Sequence, residues 1–230
     1  AQYDLGLAWI HFPEGSGGLG ADRGFQKLVH DAVVAVDAPQ PKYEIGYGMA
    51  APTIVTVGTD DQKARWLRPL FTGEEVWCQL FSEPGAGSDV AGLSCRAVRD
   101  GDEWVVNGQK VWTSNAHLAR WGLLVTRTDP DAPKHRGMTY FGIDLHQPGV
   151  EIRPLRQMTG QAEFNEIYLT DARVSEADRM GDVGDGWRVA LTTLMNERVA
   201  IGGGTRDAGK SAMDWILEAW NDHGHDDPAR

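Results

Sequence analysis

Residues 95–114 read CRAVRDGDEWVVNGQKVWTS, and this stretch decides the fold class of the chain. Short runs of β-branched and aromatic residues alternate there with Asp100-Gly101 and Asn107-Gly108. Both dipeptides are typical of tight hairpin turns, because they supply residues that adopt positive φ at low cost. The pattern therefore predicts a meander of three antiparallel strands, with EWVV before the second turn and QKVWTS after it.

Further strands are predicted on the C-terminal side of this meander. They are WGLLVTRT, MTYFGIDL, VEIRPL and EIYLTD, at residues 121–128, 138–145, 150–155 and 166–171. The polar segment DPDAPKHRG between the first two predicts a surface loop. Short strands at regular spacing, separated by turn signals, predict an antiparallel β-barrel or sandwich.

Helical patterns precede the predicted barrel. Residues 22–38 place apolar side chains at the spacing of one helix face, which predicts a helix with a buried side. A second helix is predicted over residues 42–58, where glycines and a proline interrupt the pattern. Thr59 and Gln62 have the spacing of a capping box and predict the start of a third helix.

The helical pattern returns after Gly184 and again in the last segment, KSAMDWILEAWNDHG. We therefore predict an α+β multi-domain protein. The predicted parts are an N-terminal helical domain at 1–73, a middle antiparallel β-barrel at 74–183 and the beginning of a C-terminal helical bundle at 184–230. The chain does not begin with Met and its third part is short, so we expect it to be trimmed at both ends.

The composition argues against several functional classes. A formal net charge of −11 is unfavourable for nucleic acid as a partner, since phosphate contacts need clustered Lys and Arg. No apolar run approaches the length of a membrane span. Cys78 and Cys95 are too few for a disulfide framework, and no CxxC or clustered His pattern indicates a metal. We expect a cytoplasmic bacterial protein without a metal site.

The segment SEPGAGSD at residues 82–89 follows the apolar run VWCQLF directly. It is compact and rich in small residues, so it is either a plain turn or a loop that exposes backbone N–H groups to an anion. Glycine permits that close approach because it has no Cβ.

Two opposite charges interrupt the apolar pattern of the helix after Gly184. At about 100° per residue, the apolar side chains form one face. That face contains Trp187, Ala190, Leu191, Leu194, Met195 and Ile201. Arg198 falls near its centre and Glu197 at its edge, which fits either a structural ion pair or a ligand cavity with a base and an anion contact.

These motifs together resemble the acyl-CoA dehydrogenases. The shared segments occur in the same order and spacing: SEPGAGSD, VVNGQKVWTSNA, DPDAPKHRG, FNEIYLTDARV and GWRVALTTLMNERVAIG. The resemblance covers about residues 5–210 and implies the three-part architecture, FAD bound between the barrel and the C-terminal helices, and α,β-dehydrogenation of an acyl-CoA thioester. It also implies that the missing C-terminal helices complete the FAD site across a subunit interface.

The resemblance implies a set of cofactor contacts. Backbone groups of Gln79, Phe81 and Ser82 would line the flavin ring, with the Ser82 hydroxyl in reach. Gly87 and Ser88 would approach the pyrophosphate of FAD, and Ser88 would also meet the CoA chain.

The segment KVWTSN carries the second set of implied flavin contacts. Trp112 would pack against the isoalloxazine, and Thr113 and Ser114 would hydrogen-bond its edge, with Ser114 near N5. From the residues alone, Trp112 fits equally well as a core aromatic of the barrel.

The catalytic base has two possible positions in this superfamily. One lies in the C-terminal domain outside this chain, and the other lies on the helix after the barrel, where Glu197 of MNERV falls, as in isovaleryl- and long-chain-type enzymes. In the second case Glu197 removes the α-proton and the β-hydrogen leaves as a hydride to flavin N5, which gives the trans-2-enoyl-CoA. Arg198 matches an arginine near the active site of relatives and implies a substrate contact.

The resemblance also implies partners and alternatives. An electron-transfer flavoprotein would be the acceptor, in fatty acid or lipid catabolism by β-oxidation, and the whole protein would form a homodimer, homotetramer or heterotetramer. One alternative is an acyl-CoA oxidase that uses O₂, or a flavin monooxygenase of related fold. Another is a non-catalytic partner subunit of a heteromeric dehydrogenase.

Overall fold

The computed structural model of the chain describes residues 1–38, 43–202 and 212–223. The helices are α1 Gln26–Ala35, α2 Ala51–Val57, α3 Asp60–Thr72, α4 Gly186–Gly202 and α5 Ala212–His223. The strands are β1 Trp77–Leu80, β2 Arg96–Asp100, β3 Glu103–Ser114, β4 Trp121–Arg127, β5 Met138–Asp144, β6 Val150–Leu155, β7 Phe164–Ser175 and β8 Arg179–Met180. The predicted fold class is confirmed: a helical region, a middle β-sheet region and a helical start follow one another.

The capping box predicted before α3 is confirmed. The Gln62 N–H donates to the Thr59 hydroxyl at 3.2 Å, and the Thr59 N–H donates to Gln62 Oε1 at 3.0 Å. In the helix predicted upstream, residues 46–50 form a π-helical turn that leads into α2. Gly46 and Gly48 thus change the turn type without ending the helix.

The helix predicted over residues 22–38 forms as α1, but the prediction of a buried face is wrong for the described chain. Leu28 is 64% exposed and Phe25 is 51% exposed. The attachment of α1 is polar instead: the Gln26 side chain accepts from the Ile10 N–H and donates to the Ala8 carbonyl. Within the described residues nothing covers the apolar side of this helix.

The predicted meander is half right. The turn at Asp100-Gly101 joins β2 and β3 as an antiparallel hairpin. The prediction of a second hairpin at Asn107-Gly108 is wrong, because β3 runs straight through it and pairs with β7 on both sides. The dipeptide marks a β-bulge, and a Cβ on Gly108 would lie 2.7 Å from Cys95 Cα, so glycine serves close packing there and not a turn.

The strands form one eight-stranded sheet in the order β6-β7-β3-β2-β4-β5-β8, with β1 paired to β4. Pairing is antiparallel except for β1 with β4 and β2 with β4, so the all-antiparallel prediction is wrong at these two contacts. The inner face of the sheet encloses one apolar core, and its outer face packs with the helices in another. Both faces of β4 and β5 are therefore buried, which explains their nearly unbroken apolar sequence.

Helix α4 packs on the sheet through a narrower face than predicted. Val189, Ala190 and Thr193 are fully buried, whereas Leu191 and Met195 are 42% and 59% exposed. The helix touches β5 and α2 along one side only, so its other apolar flank has no cover within the described residues. The side chain of Ile201 lies outside the described part of the chain.

The last predicted helix is confirmed as α5 over Ala212–His223, and its predicted ends lie outside the described residues. Among the helices described, none combines the length and the apolar character needed to cross a bilayer.

Candidate functional site

A cavity of about 730 Å³ lies between α4, the π-helical turn and the ends of β1 and β3. Eight of the residues predicted for the site line this cavity: Gln79, Phe81, Ser82, Gly87, Ser88, Trp112, Ser114 and Glu197. They come from four separate parts of the sequence, which the fold brings together. The bend at residues 82–89 and Trp112 thus line one cavity.

The bend leaves backbone N–H groups without a partner on residues that line the cavity. A tight turn builds it, since the Glu83 N–H donates to the Ala86 carbonyl at 2.8 Å and the Ala86 N–H returns the bond at 3.0 Å. The N–H groups of Ser82, Gly87 and Ser88 find no acceptor among the described residues, and all three residues line the cavity. Uncommitted N–H groups on a concave wall are a site for an anionic ligand group.

Glycine at position 87 has no explanation within the protein. A Cβ built there would meet no atom within 4 Å, and the residue does not have a positive φ. Packing and backbone conformation therefore both tolerate a side chain. Because Gly87 also lines the cavity, its lack of a Cβ leaves room for a ligand to approach the backbone closely.

The far end of the bend is tied to the loop at residues 129–137. The Asp89 carboxylate pairs with Lys134, and the hydrogen bond from Lys134 is the main cause that lowers the pKa of Asp89 below its usual value. The Arg127 guanidinium donates to the Lys134 carbonyl at 2.7 Å and to the Ala91 carbonyl at 2.6 Å. The predicted surface loop thus helps to fix the bend.

Trp112 occupies a strained position in a second bulge of β3. Lys110 pairs with Ile167 and Thr113 pairs with Asn165, so two residues of β3 face one residue of β7. Trp112 takes φ 60°, a conformation that is costly for a bulky residue. Its indole is 62% exposed and lines the cavity, with the ring of Phe164 edge-on at 6.2 Å.

The two hydroxyls that follow Trp112 lie on different faces of β3. Ser114 lines the cavity, whereas Thr113 is buried, and its hydroxyl has no partner among the described residues. The Thr113 carbonyl accepts from the buried Asn165 side chain at 2.9 Å, which holds the segment after the bulge. The cavity does not reach the Thr113 side chain.

Helix α4 places Glu197 on the cavity wall and Arg198 outside it. Glu197 is half-buried and lines the cavity. Arg198 is exposed, so the prediction that it lies near the centre of the buried face is wrong for the described chain. The reason is the orientation of α4 about its own axis: its buried face is centred on Val189 and Thr193, which leaves Arg198 outside this face.

A buried hydroxyl network anchors α4 one turn before Glu197. The Thr193 hydroxyl lies 2.9 Å from the Tyr140 hydroxyl and 3.0 Å from the Thr53 hydroxyl. Burial raises the pKa of Tyr140, so the phenol remains a neutral hydrogen-bonding group. The Tyr140 ring packs edge-on against Phe81 at 5.8 Å, and the network therefore links α4 to the opposite cavity wall.

Sequence reasoning missed part of the cavity wall. Glu44 and Glu163 add two carboxylates, and Met49 and Phe164 add apolar surface. A usable signal existed only for Phe164, which opens the segment FNEIYLTDARV that carries part of the family resemblance. Among the described residues no group of His, Cys, Asp and Glu could hold a metal ion.

Comparisons with known proteins agree with this geometry. The family "Acyl-CoA dehydrogenase, N-terminal domain" matches residues 2–74, and "Acyl-CoA dehydrogenase, middle domain" matches residues 78–172. Acyl-CoA dehydrogenase FadE34 of Mycobacterium tuberculosis is 51% identical over 205 residues, which are 89% of this chain and 29% of that protein.

Two solved structures have the same fold over nearly the whole chain. The Tcur3481-Tcur3483 steroid ACAD has a TM-score of 0.76 and 31% identity, over 97% of this chain and 58% of that chain. The ChsE4-ChsE5 complex from Mycobacterium tuberculosis has a TM-score of 0.71 and 33% identity, over 95% of this chain and 61% of that chain. The chain thus spans less than two thirds of the length of each of these proteins. With both domain families matched over residues 2–74 and 78–172 and with these relatives, the chain belongs to the acyl-CoA dehydrogenase family.

Proposed function

We propose that this chain supplies the FAD-binding wall and the catalytic base of an acyl-CoA dehydrogenase that oxidises an acyl-CoA thioester to its trans-2-enoyl-CoA. One observation carries the proposal: the uncommitted N–H groups of Gly87 and Ser88 share a cavity with the exposed indole of Trp112. We retain the domain boundaries 1–73, 74–183 and 184–230 as part of the proposal.

The donor set of the cavity fits FAD. Gly87 and Ser88 would bind the pyrophosphate through backbone N–H groups, where no protein atom occupies the space above Gly87. Trp112 would cover the flavin ring, and Ser82 and Ser114 would hydrogen-bond its polar edge. Gln79, Phe81 and Thr113 complete the proposed contacts; the Thr113 side chain does not line the cavity, so its contribution would come through the backbone. Bound FAD supplies the acceptor for the hydride that leaves the β-carbon.

Glu197 is the proposed base. It is half-buried on the cavity wall, where a carboxylate can take the α-proton of a thioester held against the flavin site. Hydrogen-bond donors of the cavity would stabilise the charge that develops on the thioester oxygen during this step. Arg198 would contact the exposed part of the substrate from outside the cavity.

The test is an anaerobic titration of the full-length protein with a panel of acyl-CoA thioesters, followed through the visible absorption of the flavin. Wild type is expected to lose its flavin absorption with at least one thioester. Glu197→Gln is expected to retain FAD but to be reduced about 10²–10⁴-fold more slowly, the size of a lost general base. Glu151→Gln, an exposed carboxylate on β6, is the matched control and is expected to behave like wild type. The assignment of Glu197 as the base would be contradicted if the flavin of Glu197→Gln were reduced as fast as in wild type. It would also be contradicted if only Glu163→Gln lost flavin reduction.

The panel must include a steroid acyl-CoA beside straight and branched chains. The name of one similar structure describes it as a steroid ACAD, and a bulky substrate is therefore a candidate for this chain. An electron-transfer flavoprotein is the proposed acceptor, in a cytoplasmic bacterial enzyme of lipid catabolism. Peroxide formation without that acceptor would favour the oxidase alternative.

A second candidate function is that of a non-catalytic partner subunit. It is favoured by the similar ChsE4-ChsE5 complex, whose name gives two different proteins. Purification of the full-length protein alone, and again with a second acyl-CoA dehydrogenase chain, separates the two functions. A catalytic subunit carries flavin that its substrate reduces, whereas a partner subunit shows substrate-dependent reduction only in the two-chain preparation.

A further inference from the structure

A buried ion pair lies directly behind the bend. Lys110 Nζ is 2.9 Å from Glu83 Oε1, and the two side chains are 0% and 4% exposed. Among the ion pairs of the described residues, this is the one that is fully enclosed. Lys110 lies in β3 two residues before Trp112, and Glu83 is the second residue of the bend. The pair therefore connects the two parts of the proposed flavin wall.

The carboxylate of Glu83 is saturated with donors. Oε2 accepts from the Ser94 N–H at 2.7 Å and from the Ser94 hydroxyl at 2.8 Å. Oε1 accepts from the Cys95 N–H at 3.0 Å as well as from Lys110. Burial would raise the pKa of Glu83, but the charge of Lys110 and these hydrogen bonds outweigh it and hold the pKa below its usual value.

Such a pair is poorly explained by stability alone. Desolvation of two charges offsets most of their attraction, so apolar residues of similar size often serve a core equally well. Unlike apolar contacts, the hydrogen bonds of an ion pair fix the orientation of the groups that they join. The contacts of Lys110 show which groups this pair orients.

The ammonium of Lys110 orients the peptide that enters the bend. It donates to the Phe81 carbonyl at 3.2 Å, and the next residue, Val111, donates its N–H to the Ser82 carbonyl at 2.9 Å. The peptide bond between Phe81 and Ser82 is trans, like all those described, so the N–H of Ser82 points away from the Phe81 carbonyl and hence away from Lys110. That N–H is one of the uncommitted groups of the cavity.

The same contacts account for the bulge at Trp112. The Val111 N–H bonds to Ser82, so β3 turns from β7 toward the bend at the residue before Trp112. Lys110 and Val111 thus hold Phe81 and the first two residues of the bend, and the chain then continues to Trp112 on the cavity wall. Neither Lys110 nor Glu83 lines the cavity itself.

We propose that Glu83 and Lys110 are a positioning pair. The pair fixes the Ser82 N–H and the Trp112 indole relative to each other, so that both belong to one flavin-binding wall. This inference rests on the proposed function, since it names residues that act behind the same site. Both act through their neighbours and not by contact with a ligand.

The test uses the double variant Glu83→Gln/Lys110→Met in the full-length protein. It removes both charges, keeps side chains of similar length and leaves no unpaired buried charge. Two readouts are compared with wild type: the FAD dissociation constant, and the ¹⁹F signal of fluorotryptophan at Trp112 in the FAD-free protein, identified with Trp112→Phe. Arg120→Met/Asp144→Asn removes an ion pair outside the cavity and serves as the control.

We expect the double variant to fold, its Trp112 signal to shift or broaden, and its FAD dissociation constant to rise about tenfold or more, whereas the control changes neither. An unchanged Trp112 signal, or an unchanged dissociation constant, would overturn the proposal. Wild-type protein that binds no FAD would contradict the proposed function instead, and the ¹⁹F comparison then still decides whether the pair positions Trp112.

Discussion

The pairing of β3 with β7 is irregular at two places, with the extra residue on β7 opposite Asn107 and on β3 at Trp112, and the two bulges have different causes. At the first, a Cβ on Gly108 would lie 2.7 Å from Cys95, so the packing of the chain itself requires glycine. At the second, Trp112 holds φ 60° with most of its side chain exposed; backbone and side-chain contacts of Lys110 and Val111 hold the bulge, but the packing of the indole itself does not require it. Strain without a packing reason, on a cavity wall, is typical of a functional position.

The glycines of the molecule divide in the same way. A Cβ on Gly108 would collide with Cys95, whereas a Cβ on Gly87 would meet open space and that residue has no positive φ. The comparison teaches that glycine can be required either by packing within the protein or by a bound ligand. The space around the glycine distinguishes the two cases. The predictions below use substitutions that separate these two causes.

The largest effect on folding is expected at the first bulge. Gly108→Ala must displace Cys95 or the strand, which should lower the free energy of unfolding by about 2–3 kcal/mol. Denaturant unfolding of the FAD-free protein measures this loss. The FAD affinity of the molecules that remain folded should stay at the wild-type value, and a selective loss of FAD affinity with normal stability would reverse the roles of the two bulges.

The second bulge is expected to show the opposite behaviour. Trp112→Gly suits the positive φ and removes little buried surface, so the stability of the FAD-free protein should change by less than about 1 kcal/mol. The FAD dissociation constant, measured by fluorescence titration, should rise about tenfold or more, because a ring-stacking surface is lost. A large loss of stability without loss of FAD affinity would make Trp112 a packing residue.

A smaller effect is expected from pH. The folded state holds the pKa of Glu83 below its usual value, so the stability that Glu83 contributes is present above the unfolded pKa of about 4.3 and disappears as pH falls through the folded pKa. The free energy of unfolding of wild type should therefore fall more steeply below that pH than that of Glu83→Gln/Lys110→Met. Parallel pH profiles for the two proteins would contradict this linkage.

The parts of the site that could be predicted from the sequence are those formed by short contiguous motifs. SEPGAGSD and KVWTSN reach the cavity because each motif lies in a contiguous segment at the end of a strand. The hairpin at Asn107-Gly108 was mispredicted, because the dipeptide serves a bulge as well as a turn, and only the pairing partner Asp171 decides between them. Thr113 lies between two residues that line the cavity, Trp112 and Ser114, so the alternation of a strand turns its side chain to the other face.

Long-range features remained out of reach of the sequence. Lys110 stands out as a charge in an apolar strand, but its partner Glu83 lies 27 residues away, and no local pattern links them. The apolar face of α4 was predicted too wide, because the sequence does not tell which flank of Val189 and Thr193 meets the sheet.

The most direct measurement is a titration of FAD into full-length Gly87→Ala and Gly85→Ala. Both glycines lie in the same bend, have open space around them and lack a positive φ, but only Gly87 lines the cavity. We expect both variants to unfold at the wild-type temperature, Gly85→Ala to bind FAD like wild type, and Gly87→Ala to bind it about tenfold or more weakly, because its Cβ occupies the space of the ligand. Equal FAD affinity of the two variants would contradict the account that the bend receives the cofactor through its backbone.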